Sequence, residues 1–169
     1  GTLYSQIIDA GVNVISDNGE MTEIMPASCG LINSILKYDG NNLLMASANN
    51  VLYLDNRETR KYVPMQTYPK DALKGFNVNR GVRTETGIYI YGSGSEGIVA
   101  LDRDGKVLWR IDKNRNLQNE TVLGLLCDKR GNVWASLDNG VSLIMTNSEI
   151  SCFESKFEHI GMVYDILQE

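Results

Sequence analysis

Apolar and polar positions alternate along most of this chain in short runs, and the runs repeat. The segment DAGVNVISDNGEMTEI (9–24) lies over DNGVSLIMTNSEISCF (138–153) without a gap, at an offset of 129 residues. Each copy reads Asp-x-Gly-Val, an alternating apolar run, a short polar turn and a second alternating run. Two further copies lie between them, NNVLYLDNRETRKYV (49–63) and EGIVALDRDGKVLWRI (96–111). Taking Gly11, Asn50, Gly97 and Gly140 as equivalent gives spacings of 39, 47 and 43 residues. A second element recurs upstream of this pair: VLGLLCD (122–128) lies over VYDILQE (163–169), and INSILKYD (32–39) is a looser copy. Turns come next at DGNN (39–42) and DKRGN (128–132), then short strands at LLMAS (43–47) and VWAS (133–136). The stretch 76–93 fits the same frame, with Gly87 in its turn and IYIY as its strand.

Period-two alternation bounded by Gly, Asn and Asp predicts four short strands per unit of about 43 residues. Units of that length and content predict an all-β chain, a β-propeller or propeller fragment built of four-stranded antiparallel blades. The physical reason is burial. A small twisted sheet has two faces and cannot dry both alone, whereas radial stacking covers each with its neighbour. Val122, Leu125, Leu126, Val133, Trp134, Val141 and Leu143 are the expected inter-blade core of the best copy. A parallel β-helix fits less well, because its coils are shorter and lack antiparallel hairpins. The pattern divides 1–169 into a single propeller segment of about four blade equivalents: 1–28 the end of a blade, 29–66, 67–115 and 116–157 full blades, and 158–169 the start of another. The outer pieces either pair to close a ring or belong to a larger one. The second is the expectation, since the last piece stops where a turn should come. Helical signal is confined to PKDALKG (69–75), in a connection.

Composition narrows the class. The 169 residues hold 16 Gly and 16 Asn but only 3 Pro, as a chain rich in tight turns requires. A 43% hydrophobic content argues for a packed core rather than disorder. The formal charge of −5 argues against a general nucleic-acid binder. No apolar run approaches the roughly 20 residues of a membrane helix, so no membrane contact by this segment is expected, and no basic-then-apolar leader opens the chain. Cys29, Cys127 and Cys152 are odd in number and lack CxxC spacing, which predicts neither a disulfide framework nor structural zinc. Cys127 and Cys152 read as small core residues; one disulfide stays open.

The stretch LQNETVLGLLCDKRGNVWASLDNGVSLI (117–144) resembles the propeller repeat of two-component regulators, with Leu117, Val122, Leu125, Asp128, Gly131, Asn132, Trp134 and Gly140 at the matching positions. Ser136 or Leu137 stands near the repeat's usual Thr. A weaker copy at 31–54 places Asp39, Asn42 and Met45 at the Asp, Asn and Trp positions, and the match is poor at 76–101. The resemblance covers the whole chain in period and about one quarter in motif. It implies a segment of the periplasmic sensor region of a hybrid histidine kinase of the Bacteroidetes type, anchored elsewhere to the inner membrane, with no kinase core in this stretch. Many such sensors recognise products of polysaccharide breakdown. IVALDRDGKVLWRID (98–112) also resembles the tryptophan-docking repeat of quinoprotein dehydrogenases and of noncatalytic assembly scaffolds, with Ala100, Asp102, Gly105 and Trp109 in place. Only this unit carries it.

Other motifs have plainer readings. GSGSEG (92–97) matches GxGxxG, but β-branched IVAL comes next in a strand frame, so it reads as a loop between strands rather than a phosphate cradle. DRDG (102–105) and DNGE (17–20) read as hairpin turns, since a calcium loop's further ligands are missing. His159 is the only histidine, too little for a hydrolase triad or an imidazole metal cluster. Trp109 and Trp134 read as inter-blade packing. NET (119–121) is a glycosylation sequon, without consequence in a bacterial protein. No catalytic group, metal or cofactor is expected. Ligand contacts are expected on the face carrying the loops into each first strand and between second and third strands. The candidates are Asn49, Asn50, Ser93, Ser95, Glu96, Asp138 and Asn139, with Arg80, Arg83, Asn116 and Asn119 at the loops leading into first strands. Amides and hydroxyls suit a sugar, and the arginines suit an acidic one. The expected partners are a small molecule or oligosaccharide, other blades or domains of a parent chain, and a second copy. A quinone-dependent enzyme or scaffold and a pure protein-interaction propeller stay open.

Overall fold

The computed structural model describes residues 3–56, 58–59 and 61–146. They form four antiparallel sheets in chain order. The first blade has β1 (Leu3–Ile7), β2 (Gly11–Ile15) and β3 (Met21–Met25); the second has β4 (Ile32–Lys37), β5 (Leu43–Ser47), β6 (Leu52–Asn56) and β7 (Lys61–Met65). The third has β8 (Val78–Arg83), β9 (Tyr89–Ser93), β10 (Ile98–Leu101) and β11 (Val107–Ile111); the fourth has β12 (Val122–Cys127), β13 (Val133–Leu137) and β14 (Gly140–Ile144). Strands within each blade are ordered as in the sequence. The predicted strand at 149–153, the piece 158–169, Cys152 and His159 lie outside the described residues.

Three apolar clusters glue the blades face to face. Val12 and Met25 of the first blade meet Ile32, Leu43 and Met45 of the second. Leu44, Ala46 and Leu52 meet Tyr89, Tyr91, Val99 and Leu101 of the third. Ile90, Ile98 and Ala100 meet Val122, Val133, Ala135 and Leu137 of the fourth. Alternation does this directly in the strands without a bulge: in β5, β9 and β10, odd positions face one neighbour and even positions the other. Strand β4 packs on β8 and β8 on β12, so the first strands line up along the hub edge.

A polar spoke crosses each seam. The Gln6 side chain accepts from Ile32 N (3.0 Å). Asn33 Nδ2 donates to Val78 O (2.7 Å), and Asn79 Nδ2 donates to Val122 O (2.8 Å). Asn33 and Asn79 are the extra residues of β-bulges that recur at the same place in β4 and β8, and β12 carries a bulge there too, with Leu123 as its extra residue. The bulge turns a side chain out of the sheet toward the next blade. At the other end of the second seam, Tyr38 stacks on Tyr89 at 6.1 Å, flanked by the Arg103 and Arg83 guanidinium groups. Arg103 is paired with Asp39 at 2.6 Å.

Register corrects several expectations. Leu126 pairs with Trp134 and Leu36 with Leu44, so Leu44, not Met45, is the second blade's counterpart of Trp134. The turn bonds Tyr38 N to Asn42 O and Asp128 N to Asn132 O make Tyr38, not Asp39, the counterpart of Asp128. Gly11, Gly97 and Gly140 are equivalent, whereas Asn50 stands one residue earlier. A Cβ at Gly11 or Gly97 would lie 2.1 or 2.2 Å from a carbonyl oxygen of its own blade's last strand, so glycine there is a packing requirement. Val122 and Val133 are buried and Leu125 half-buried in the third seam, as expected. Leu126, Trp134, Val141 and Leu143 are exposed instead, because they occupy the fourth blade's other face, which no described blade covers. Cys127 is half-buried rather than in the core, at the end of β12. Residues 69–75 make successive turns and no helix.

The DKRGN turn shows why its residues are chosen. Asp128 Oδ1 accepts from the backbone of Arg130 and Asn132, and Oδ2 from the Asn132 amide and the Trp134 indole. Burial pushes the carboxyl's pKa up, but these four bonds outweigh it and hold it below its ordinary value. A lowered folded-state pKa stabilises the fold above the unfolded value, and that contribution is lost as pH falls through the folded one. Acid titration read by Trp134 emission, in a Trp109→Phe background, should give a midpoint below about 3.9. A midpoint at or above that value would refute the assignment. Gly92 tests the third seam. Its Cβ position lies 2.4 Å from Val122 Cγ1. Gly92→Ala should lower unfolding free energy by about 1–3 kcal/mol in urea, with no change in the slope.

Candidate functional site

The connections between units and between second and third strands gather at one end of the blades. Each second-to-third turn is sewn to the segment leading into its own first strand. Ala48 N bonds Leu31 O (2.7 Å), Gly94 N bonds Asn77 O (3.3 Å) and Asp138 N bonds Thr121 O (3.1 Å). Seams are bridged as well: Gly97 N donates to Glu120 O (3.0 Å), and Val78 N donates to Asn50 Oδ1 (3.4 Å).

On this end a cleft of about 350 Å³ opens between the β5–β6 turn and the connection 66–77. Asn49 and Asn50 form one wall; Gln66, Thr67, Lys70 and Lys74 stand on the other. The second wall is built on the core. Leu73 and Phe76 are each 1% exposed and belong to the cluster between the second and third blades. Turn bonds from Ala72 N to Pro69 O, Lys74 N to Asp71 O and Phe76 N to Leu73 O carry the chain between these anchors. The Arg110 guanidinium lies 5.5 Å over the Phe76 ring and donates to Ala72 O. Thr67 Oγ1 donates to Pro69 O and accepts from Ala72 N, so it braces the wall. Lys70 and Lys74 are exposed on the rim with Asp71. Two ammonium groups with side-chain amides can hold a polyhydroxylated ligand, and an anionic one better than a neutral one.

The other candidates are spread along the same end or away from it. Ser95, Glu96, Asp138 and Asn139 are on the β9–β10 and β13–β14 turns, outside the cleft. Ser93 is fully buried: its hydroxyl donates to Phe76 O and accepts from Ser95 N and Glu96 N, so it shapes the GSGSEG loop. That loop leads into strand β10, as its β-branched sequel required. Asn116 ends a short helical turn at a left-handed φ of 66°, and Asn119 Oδ1 accepts from Thr121 N. Arg80 and Arg83 lie within β8 rather than in a leading loop. Arg80 Nη1 bonds Asn79 O at 2.8 Å on the hub edge, while Arg83 sits at the opposite end, over Tyr89. The sequence reading missed Gln66, Lys70 and Lys74. The available signal was a twelve-residue connection carrying two lysines, the longest of those between the described units. DRDG is the β10–β11 turn, with Asp102 Oδ1 accepting from Asp104 N and Lys106 N. Trp109 is half-buried in the third seam.

No family profile and no curated protein matches this sequence. Solved structures do. One is the extracellular domain of a proposed hybrid two component system from B. thetaiotaomicron, at TM-score 0.67 and 18% identity, over 88% of this chain and 20% of that one. A second such extracellular domain from B. thetaiotaomicron matches at TM-score 0.60 and 19% identity, over 85% and 19%. Virginiamycin B lyase from Staphylococcus aureus matches at 0.63 and 10%, over 88% and 53%. The fold is that of a β-propeller. This propeller chain spans about a fifth of the length of the two extracellular domains it resembles.

Ser93→Ala separates scaffold from ligand contact. Three backbone groups lose a partner, which should cost about 1–3 kcal/mol in urea unfolding. A stability equal to the parent's would return Ser93 to the ligand candidates.

Proposed function

We propose that this chain is a non-catalytic, extracytoplasmic sensor segment of a two-component signalling protein, periplasmic in location, and that its ligand is a carbohydrate held in the loop-end cleft. The cleft carries this reading. It is concave, lined by the amides of Asn49, Asn50 and Gln66, edged by Lys70 and Lys74, and roofed on buried anchors. Carbohydrates need several directed hydrogen bonds, which amides supply in both senses. The extracellular two-component domains of like fold support the signalling context.

The mechanism is binding rather than chemistry. Leu73 lines the cleft and belongs to the seam between the second and third blades, and Phe76 anchors the same wall in that seam. A ligand that prefers one setting of that wall favours one packing of the seam, and only such a difference in affinity transmits a signal.

A thermal-shift screen against neutral and uronate-bearing oligosaccharides tests this. At a hundredfold excess over Kd, a true ligand should raise Tm by about 5–10 °C. The variant Asn49→Ala/Lys74→Met should keep the ligand-free Tm and lose more than half of the shift. A panel in which nothing moves Tm, or an unaltered response in the variant, would defeat the proposal.

A further inference from the structure

The two walls of the loop-end cleft belong to different blades. Asn49 and Asn50 stand on the β5–β6 turn of the second. The connection 66–77 is tied to the third. Tyr68 N donates to Gly105 O (2.9 Å), Val107 N to Tyr68 O (2.8 Å), the Arg110 guanidinium to Ala72 O and the Ser93 hydroxyl to Phe76 O. Among the described residues lining the cleft, Asn50 alone has a side-chain hydrogen bond across this divide. Its Oδ1 accepts from the N–H of Val78, the first residue of β8, at 3.4 Å. A backbone N–H only donates, so the amide's oxygen must be the partner, and Nδ2 keeps both protons for a ligand. The turn beneath is pinned: Asn50 N bonds Ser47 O (3.0 Å), and its backbone is left-handed at φ 66°.

We propose that Asn50 couples the ligand to the seam: an acceptor on the ligand that takes a bond from Nδ2 strengthens the bond from Val78 N to Oδ1 and draws the second and third blades together at this end. The inference rests on the cleft being the ligand site. Its physical basis is polarisation of one amide. Donation from Nδ2 moves electron density onto Oδ1, and bonds in such a chain reinforce one another where the dielectric is low. At 3.4 Å the Val78 bond is longer than the usual range of roughly 2.7–3.2 Å, so it has room to shorten. The Asn33 bond to Val78 O, at 2.7 Å, is already short and holds the other side of the same residue. A carboxylate is a stronger acceptor for Nδ2 than a hydroxyl, so an acidic sugar should drive the coupling harder than a neutral one. The third seam lacks this device, since its bridge at the loop end runs from Gly97 N to Glu120 O, main chain to main chain.

Nuclear magnetic resonance of the full chain, titrated to saturation with di- to tetrasaccharides of galacturonate and of arabinose, tests the coupling. On binding, the Val78 amide proton should move downfield. Its exchange with solvent should slow at least threefold relative to that of Gly94, whose N–H bonds Asn77 O away from the cleft. Asn50→Asp keeps an oxygen for Val78 and removes the donor. It should protect Val78 in the free chain and abolish the response to ligand. Asn50→Gly suits the left-handed backbone and removes both groups, so Val78 exchange should be at least fivefold faster with or without sugar. Binding that leaves Val78 unmoved, shifts it upfield or speeds its exchange would overturn the coupling and leave the ligand site standing. So would an Asn50→Asp chain that responds like the parent. A titration in which no amide of the cleft moves would defeat the ligand site, and the coupling with it.

Discussion

The thinness of the sheets governs everything else in this molecule. A leaflet of four short strands has two apolar faces and no interior, so each blade is stable only through its neighbours. The consequence is visible in alternation: Leu44 and Met45 are adjacent in sequence, yet one supports the second seam and the other the first. Hydrophobic burial alone is non-directional and would let blades slide. The spokes from Gln6, Asn33 and Asn79 fix the setting, since each ties a side chain to a particular backbone group of the next blade.

Much of this was legible in the sequence. Period-two alternation and recurring Gly and Asn turns located the strands and the unit length, because both are local properties. The β-branched run after GSGSEG marks a strand rather than a helix, and DRDG reads as a hairpin turn; the structure has the strand and the turn there. The failures lay in register and in long-range placement. A one-residue slip moves a side chain to the opposite face, which is how Met45 was matched to Trp134 in place of Leu44. Burial of Leu126 and Leu143 was inferred from alternation, which shows that a face is apolar without showing that anything covers it.

The candidate site divides in the same way. Asn49 and Asn50 fall on the cleft because loops between second and third strands cluster at one end of such a stack. Gln66, Lys70 and Lys74 were not singled out because the connections between units differ in length, six residues at 26–31, twelve at 66–77 and ten at 112–121, and a repeat search aligns only what recurs in step. Ser93 was misjudged because a serine at a loop end serves either the backbone or a ligand, and only its bonds to Phe76, Ser95 and Glu96 decide which. Arg83 was placed by nearness in sequence to the loop, although a six-residue strand carries it to the far side.

The stitching of each turn to its own blade, from Ala48 to Leu31, Gly94 to Asn77 and Asp138 to Thr121, has an evolutionary corollary. Because every stitch uses main-chain atoms, it imposes no demand on which amino acid occupies the exposed tips. Those tips are free to mutate, lengthen or be exchanged between duplicated units while the framework beneath them persists. Such a scaffold can acquire new recognition by tinkering at one end, without solving its folding problem again.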